Sequence, residues 1–229
     1  MILKNNFGSS NIAIIPARMG SKRLPGKNKL LLGGIPLVVH SIRYAKLYNN
    51  LIDKIIVSTD DADIKAIALS EGVEVIDRPE EISGDEATTL SALQHVLANI
   101  KEDVENIFLL QPTSPLRPEN LLGNTFKEFS NGKYESLMTV SRSYQKFGKI
   151  ENNQFIPFNY KMGQRSQDLE PLYFENGLLY IIKASLIRQD KLLGENNFPF
   201  IVDHPFSKVD IDEKEDFEYA EFLLNRKEN

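Results

Sequence analysis

Residues 11–28 read NIAIIPARMGSKRLPGKN, and this stretch decides the fold. An Ile-rich run passes directly into a segment with two glycines, two prolines and the four cations Arg18, Lys22, Arg23 and Lys27, with no acid among them. A strand so continuously apolar belongs at the centre of a sheet covered on both faces, which is the habit of parallel sheets. Ligands of such sheets gather at the carboxyl ends of the strands, which is where the cationic segment falls.

The same rhythm continues outward. Residues 54–60, 73–79, 106–112 and 136–141 read as further strands. Between them lie helical patterns over 36–48, opened by Pro36, 61–72, closed by Gly72, 86–101, and 118–130. Strand–helix alternation predicts βαβ units and a mostly parallel α/β fold. The rhythm breaks after residue 143. Residues 146–158 read as a hairpin turning at Glu151–Asn153, and 161–171 as a polar loop. Regular structure returns with a strand over 177–183, a short helix from Ala184, an apolar segment over 198–203 and a final helix near 213–225. The reading is a single domain over 1–229, with 143–170 a small excursion of the kind that serves subunit contact.

Composition narrows the function. The chain has 229 residues, 41% hydrophobic and 26% charged, ordinary values for a globular protein with a real core. It has no cysteine, hence no disulfide, thiolate metal site or thiol nucleophile. The opening MILKNNFGSSN lacks the apolar segment of a signal peptide, and no run reaches the length of a membrane span. A cytoplasmic protein is expected. The net charge of −5 is unevenly spread. Up to Ile52 there is no acid, while Lys4, Arg18, Lys22, Arg23, Lys27, Lys29, Arg43 and Lys46 supply eight cations; the remaining 19 face 32 acids. An acidic chain with a concentrated basic opening suits a pocket for a small polyanion better than a nucleic-acid surface, a solvated basic patch being the rival reading.

Two familiar phosphate motifs are absent. A P-loop needs four residues between its glycines and a Ser or Thr after its Lys, whereas Gly20 and Gly26 have five residues between them and Asn28 follows Lys27. No GxGxxG occurs. The chemistry stands without those names: the glycines bring backbone N–H groups close to a ligand, and Arg18, Lys22 and Lys27 can converge on a triphosphate.

IPARMGSKRLPGKN, followed by LLLGGIPLVVHSIRYA, closely resembles the signature of the acylneuraminate cytidylyltransferases, or CMP-sialic acid synthetases. RPEEISGDEATT (78–89), QPTSPLR (111–117), QRSQDLEP…FENG (164–177) and VDIDEKED (209–216) match further family segments in the same order. The RSQDLEP form resembles the legionaminic and pseudaminic acid branch more than the sialate enzymes. The resemblance implies a Rossmann-like three-layer α/β/α nucleotide-diphospho-sugar transferase fold, a homodimer paired through 143–170, and transfer of CMP from CTP to a nonulosonic acid, with release of pyrophosphate. It assigns CTP binding to Arg18, Gly20, Ser21, Lys22, Lys27, Asn28, Arg78 and Thr89, and acceptor binding to Gln111, Arg117, Arg165 and Asn176. Asp210 and Asp212 fall to Mg²⁺, or Mn²⁺ in its place, and Lys22, Arg18 and the two aspartates form the expected catalytic set.

Alternation along Asp210-Ile211-Asp212 places both carboxylates on one side of an extended segment, suited to Mg²⁺, while Asp212 with Glu215 also has capping-box spacing for the last helix. In VSTDD (57–61), Asp60 or Asp61 is expected to cap the next helix, and neither is counted as catalytic. A 3-deoxy-octulosonate-type cytidylyltransferase and a non-catalytic nucleotide-binding protein of the same fold are the alternatives. QPTSPLR, where the octulosonate enzymes carry an acidic segment, disfavours the first.

Overall fold

The structure is a computed structural model and describes residues 10–226; Lys4 and most of the MILKNNFGSSN opening lie outside the described residues. Strand β1 (Ser10–Pro16) ends at the cationic loop, and a small ribbon of β2 (Leu31–Leu32) and β3 (Ile35–Pro36) leads into helix α1 (Leu37–Lys46). Then follow β4 (Lys54–Thr59), α2 (Ala62–Ser70), β5 (Glu74–Asp77), α3 (Thr89–Asn99), β6 (Val104–Leu109), α4 (Leu121–Gly132) and β7 (Ser136–Ser143). The excursion holds β8 (Gly148–Glu151) and β9 (Gln154–Pro157). Strand β10 (Leu172–Lys183), the short α5 (Ala184–Ile187), β11 (Asn197–Ile201) and α6 (Lys214–Asn225) complete the chain.

Seven strands form one sheet in the order β11-β7-β10-β6-β1-β4-β5. All run parallel except β10, which is antiparallel to both β6 and β7. Both faces are covered, and this explains the continuously apolar strands. Ala13 and Ile15 of β1 pack with α1, α2 and α4 through Val38, Ile42, Ile64 and Phe126. Ile12 and Ile14 face the other way, into a layer with Leu93 and Val96 of α3 and Ile187 of α5. A third, smaller cluster joins Leu32, Leu37, Leu116, Ile211 and Leu223, and seats α6 beside the β2–β3 ribbon. That ribbon turns on Gly33 and Gly34, both with positive φ, and a Cβ on Gly33 would meet Leu224 at 2.5 Å.

The expected elements are present, with three informative differences. Helix α3 begins at Thr89 rather than 86, because the Thr88 hydroxyl accepts from the Ser91 N–H (3.1 Å) and sets the start. Strand β10 begins at Leu172, five residues before the expected Gly177. Its pairing with β7 shifts by three residues between Glu175 and Tyr180, so Asn176-Gly177 is a bulge inside one long strand and not a turn before it. The predicted loop over 161–171 contains a short 3-10 helix at Ser166–Asp168. The hairpin turn is as read, with Asn152 and Asn153 at φ 51° and 60°.

Asp61 is the residue that caps α2, accepting from the N–H groups of Asp63 (2.8 Å) and Ile64 (3.2 Å) and pairing with Lys29 at 3.0 Å. It is buried, and although burial works against its charge, Lys29 and the two N–H groups hold its pKa below the usual carboxylate range. Asp61→Ala is expected to lower stability by about 1–2 kcal/mol in urea unfolding, the ordinary cost of a lost cap.

Candidate active site

Strand β1 is flanked by β4 and β6, where the direction of the chain's crossovers reverses, and the crevice outside its carboxyl end is the natural site of such a sheet. The cationic loop fills one wall of that crevice. Ala17 extends the β1–β4 pairing by donating to the Ser58 carbonyl (2.9 Å), and the Met19 N–H then donates to Asp60 Oδ1 (2.8 Å). The loop closes on itself where Asn28 Nδ2 donates to the Arg18 carbonyl at 2.9 Å. Gly26, at φ 65°, starts a 3-10 turn over Lys27–Lys29 that carries Lys27 and Asn28 inward, where both are buried.

The facing wall is the segment between β5 and α3. Arg78 is buried, with Nε donating to Ser58 Oγ (3.1 Å) and Nη2 to the Ser58 carbonyl (2.8 Å). Burial lowers its pKa, opposed by Asp60 and assisted by Arg18. Between the walls lies a cleft of about 390 Å³. Arg18, Gly20, Ser21, Lys22, Lys27 and Asn28 line one side. Arg78, Thr89, Gln111 and Asp212 line the rest.

The other four expected residues lie outside that lining, each for a visible reason. Arg117 is buried behind it and spends its fork on the protein: Nε donates to the Leu178 carbonyl (2.6 Å), Nη1 to Ser41 Oγ (3.0 Å) and Nη2 to the Gln111 carbonyl (2.8 Å). Burial pushes its pKa down to about 10, with Tyr44 opposing, so it stays cationic at neutral pH. Asn176 is also buried; its Oδ1 accepts from Thr139 Oγ1 (2.6 Å) and its Nδ2 donates to Ser141 Oγ (3.0 Å), which pins the β10 bulge. The bulge brings Gly177 against the QPTS loop, where a Cβ would meet Ser114 Oγ at 2.9 Å and Gln111 Oε1 at 3.2 Å. Arg165 stands in the excursion, exposed, gripping Asp168 through Nε (2.7 Å) and Nη2 (3.2 Å).

Asp210 sits at the rim, next to the lining residue Asp212. Ile211 between them is fully buried and donates its N–H to the Thr113 carbonyl at 2.8 Å, so the two carboxylates share the side away from the core. Asp210 is solvent-exposed, yet the protein around it raises its pKa; Thr113 and Lys27 pull the other way, and Asp212 adds to the rise. Asp212 pairs with Lys27 at 2.9 Å and with Arg23, and these cations outweigh its burial and lower its pKa. The capping spacing read at Asp212 and Glu215 is displaced by one residue. Asp216 Oδ2 accepts from the N–H groups of Asp212 (3.0 Å) and Glu213 (2.9 Å), and Glu213 is the N-cap of α6. The Asp212 side chain is thereby left for the cleft.

The two neighbouring carboxylates offer oxygen ligands alone, and no group of three or more His, Cys, Asp or Glu among the described residues could close a cage. That donor set fits Mg²⁺, which takes one or two carboxylates and fills its remaining positions with phosphate oxygens and water. The residue that sequence reasoning left unassigned is Asp85, on the facing wall, 2.6 Å from Lys22 Nζ. Its only signal was its place in RPEEISGDEATT.

Arg117→Lys retains the charge but can serve one of the three acceptors. It is expected to lose two of the three charge-assisted hydrogen bonds, at about 1.5–3 kcal/mol each, read as a fall in denaturant midpoint.

A family model described as cytidylyltransferase matches residues 12–229. An N-acylneuraminate cytidylyltransferase of Streptococcus agalactiae is 32% identical over 95% of this chain and 55% of its own length, so the chain spans about half of that curated relative. A CMP-N,N'-diacetyllegionaminic acid synthase of Legionella pneumophila is 34% identical over 93% of this chain and 95% of its own. Among solved structures, a CMP:2-keto-3-deoxy-manno-octonic acid synthetase complexed with CTP has the same fold, with a TM-score of 0.70 at 17% identity over 94% of this chain and 98% of that one. From the loop after β1 to the aspartates before α6, this chain belongs to the cytidylyltransferase family.

Proposed function

We propose that the chain transfers CMP from CTP to the anomeric C2 hydroxyl of a nonulosonic, sialic-type acid, giving the CMP-sugar and pyrophosphate. The observation that carries this reading is the convergence of Arg18, Lys22, Lys27 and Asp212 on one cleft at the end of β1. The relatives' names, covering sialic and legionaminic acids, support the acceptor class.

In this mechanism the acceptor hydroxyl attacks the α-phosphorus in line and pyrophosphate departs on the opposite side. Such chemistry asks chiefly for positioning and charge neutralisation. Lys22, Arg18 and Lys27 bind the departing phosphates, each charge-assisted contact contributing about 1.5–3 kcal/mol. The N-terminus of α3, at Thr88–Thr89 on the cleft wall, adds its partial positive charge. Arg78 and Thr89 are the residues we place near the nucleotide base. Gln111 faces the acceptor, with Arg117 and Asn176 supporting it from behind, and Arg165 is assigned the acceptor carboxylate. Mg²⁺ or Mn²⁺ held by Asp210 and Asp212 would supply Lewis-acid polarisation of the phosphate and lower the pKa of the attacking hydroxyl.

The excursion supports a homodimer. Ile150, Phe155, Phe158 and Met162 stand exposed on it, a density of large apolar groups that a second copy would cover. No helix among the described residues is long and apolar enough to cross a membrane, and with CTP as substrate we place the enzyme in the cytoplasm.

Pyrophosphate release in the presence of Mg²⁺, CTP and a panel of nonulosonic acids tests the reaction. No release with any acid overturns it, and release with the octulosonate alone moves it to the related enzyme class. Asp210→Asn is expected to lower kcat about a hundredfold or more at unchanged melting temperature, in keeping with a metal contribution of several kcal/mol to the barrier. Chelation should abolish turnover, and added Mg²⁺ should restore it. Separately, Ile150→Glu with Phe155→Glu is expected to convert a dimer to a monomer in sedimentation velocity, with the far-UV spectrum unchanged.

A further inference from the structure

Each cation of the loop after β1 already has a partner. Lys27 and Arg23 pair with Asp212. Lys22 and Arg18 instead reach across the cleft to the segment before α3. Asp85 Oδ2 lies 2.6 Å from Lys22 Nζ, and Oδ1 lies 3.9 Å from Arg18 Nη1. The Gly84 carbonyl accepts a hydrogen bond from the same Arg18 nitrogen. The Lys22 ammonium holds the Asp85 carboxyl below the usual carboxylate range. A carboxylate on the facing wall thus occupies the counter-ion place of two of the three cations that the proposed reaction gives to the departing phosphates.

We infer that Asp85 is a positioning residue acting through Lys22 and Arg18: it holds both cations in the empty cleft, yields them to the triphosphate, and takes them back as pyrophosphate leaves. This rests on the reading of the cleft as a CTP site. The two pairs on the loop differ in kind. Lys27 is 10% exposed at its side chain and its pairing with Asp212 is a fixed part of the wall. Lys22 and Asp85 are 77% and 51% exposed, so theirs is a screened, weak pair that several phosphate charges displace. Around Gly84 nothing lies within 4 Å of where a Cβ would stand, so this side of the segment is open. The result is an exchange of one anion for another at two cations, and it sets how firmly any polyphosphate is held.

The test is calorimetric titration of the full chain with CTP and, separately, with inorganic pyrophosphate, in the wild type, Asp85→Asn and Asp85→Glu. With the competing carboxylate gone, the Asn variant is expected to bind each ligand about two- to fivefold more tightly, the range of a surface ion pair. Its inhibition constant for pyrophosphate should fall by the same factor, while the Glu variant stays near wild type. Should the Asn variant fail to fold, Asp85→Ser gives the same comparison. Unchanged or weakened binding in the neutral variants, with CTP still bound by the wild type, overturns the role of Asp85 alone. A wild type that binds neither ligand overturns the site reading itself.

Discussion

The pairing of Lys27 with Asp212 spans 185 residues of chain and holds the cleft in its shape. Lys27 reaches it only because Gly26 adopts a left-handed backbone and turns the 3-10 segment inward. Asp212 reaches it only because Ile211 is anchored in the small core and bonded to Thr113. Lys27, whose side chain is 10% exposed, depends on this partner, since removing Asp212 leaves its ammonium with poor access to water. The cationic loop, the QPTS loop and the aspartate segment are therefore a single mechanical unit, although they come from the beginning, middle and end of the sequence.

What the strands required was legible from the chain alone. A run such as NIAII tolerates water on neither face, so helices must cover both, and the loop that follows must stand at the sheet's carboxyl edge. The β2–β3 ribbon was not legible, because two-residue strands carry no periodicity. The early start of β10 was hidden for another reason: Asn-Gly reads as a turn wherever it occurs, and only the register shift in the pairing with β7 shows it to be a bulge.

The site divides in the same way. The place of Arg18, Lys22 and Lys27 on a cleft at the end of a strand was readable in sequence. Arg117 and Asn176 were expected among the acceptor-binding residues, and their burial outside the cleft lining was not legible, since burial is a property of the fold. Asp85 was passed over because an acid in a polar loop is ordinary; only its distance to Lys22 distinguishes it. The cap of α6 shows how fine the margin is. A shift of one residue, from Asp212 to Glu213, decides whether a carboxylate serves the backbone or faces the cleft.

The fork of Arg117 joins α1 through Ser41, the loop after β6 through Gln111, and β10 through Leu178. A guanidinium is planar and does not bend, so the spacing among these three elements is set by covalent geometry and not by a sum of soft contacts. In the proposed reading Gln111 faces the acceptor, so Arg117 behind it works as a gauge block that sets how far this part of the wall stands from α1 and β10. Acceptor-side residues can then differ without moving the wall they stand on.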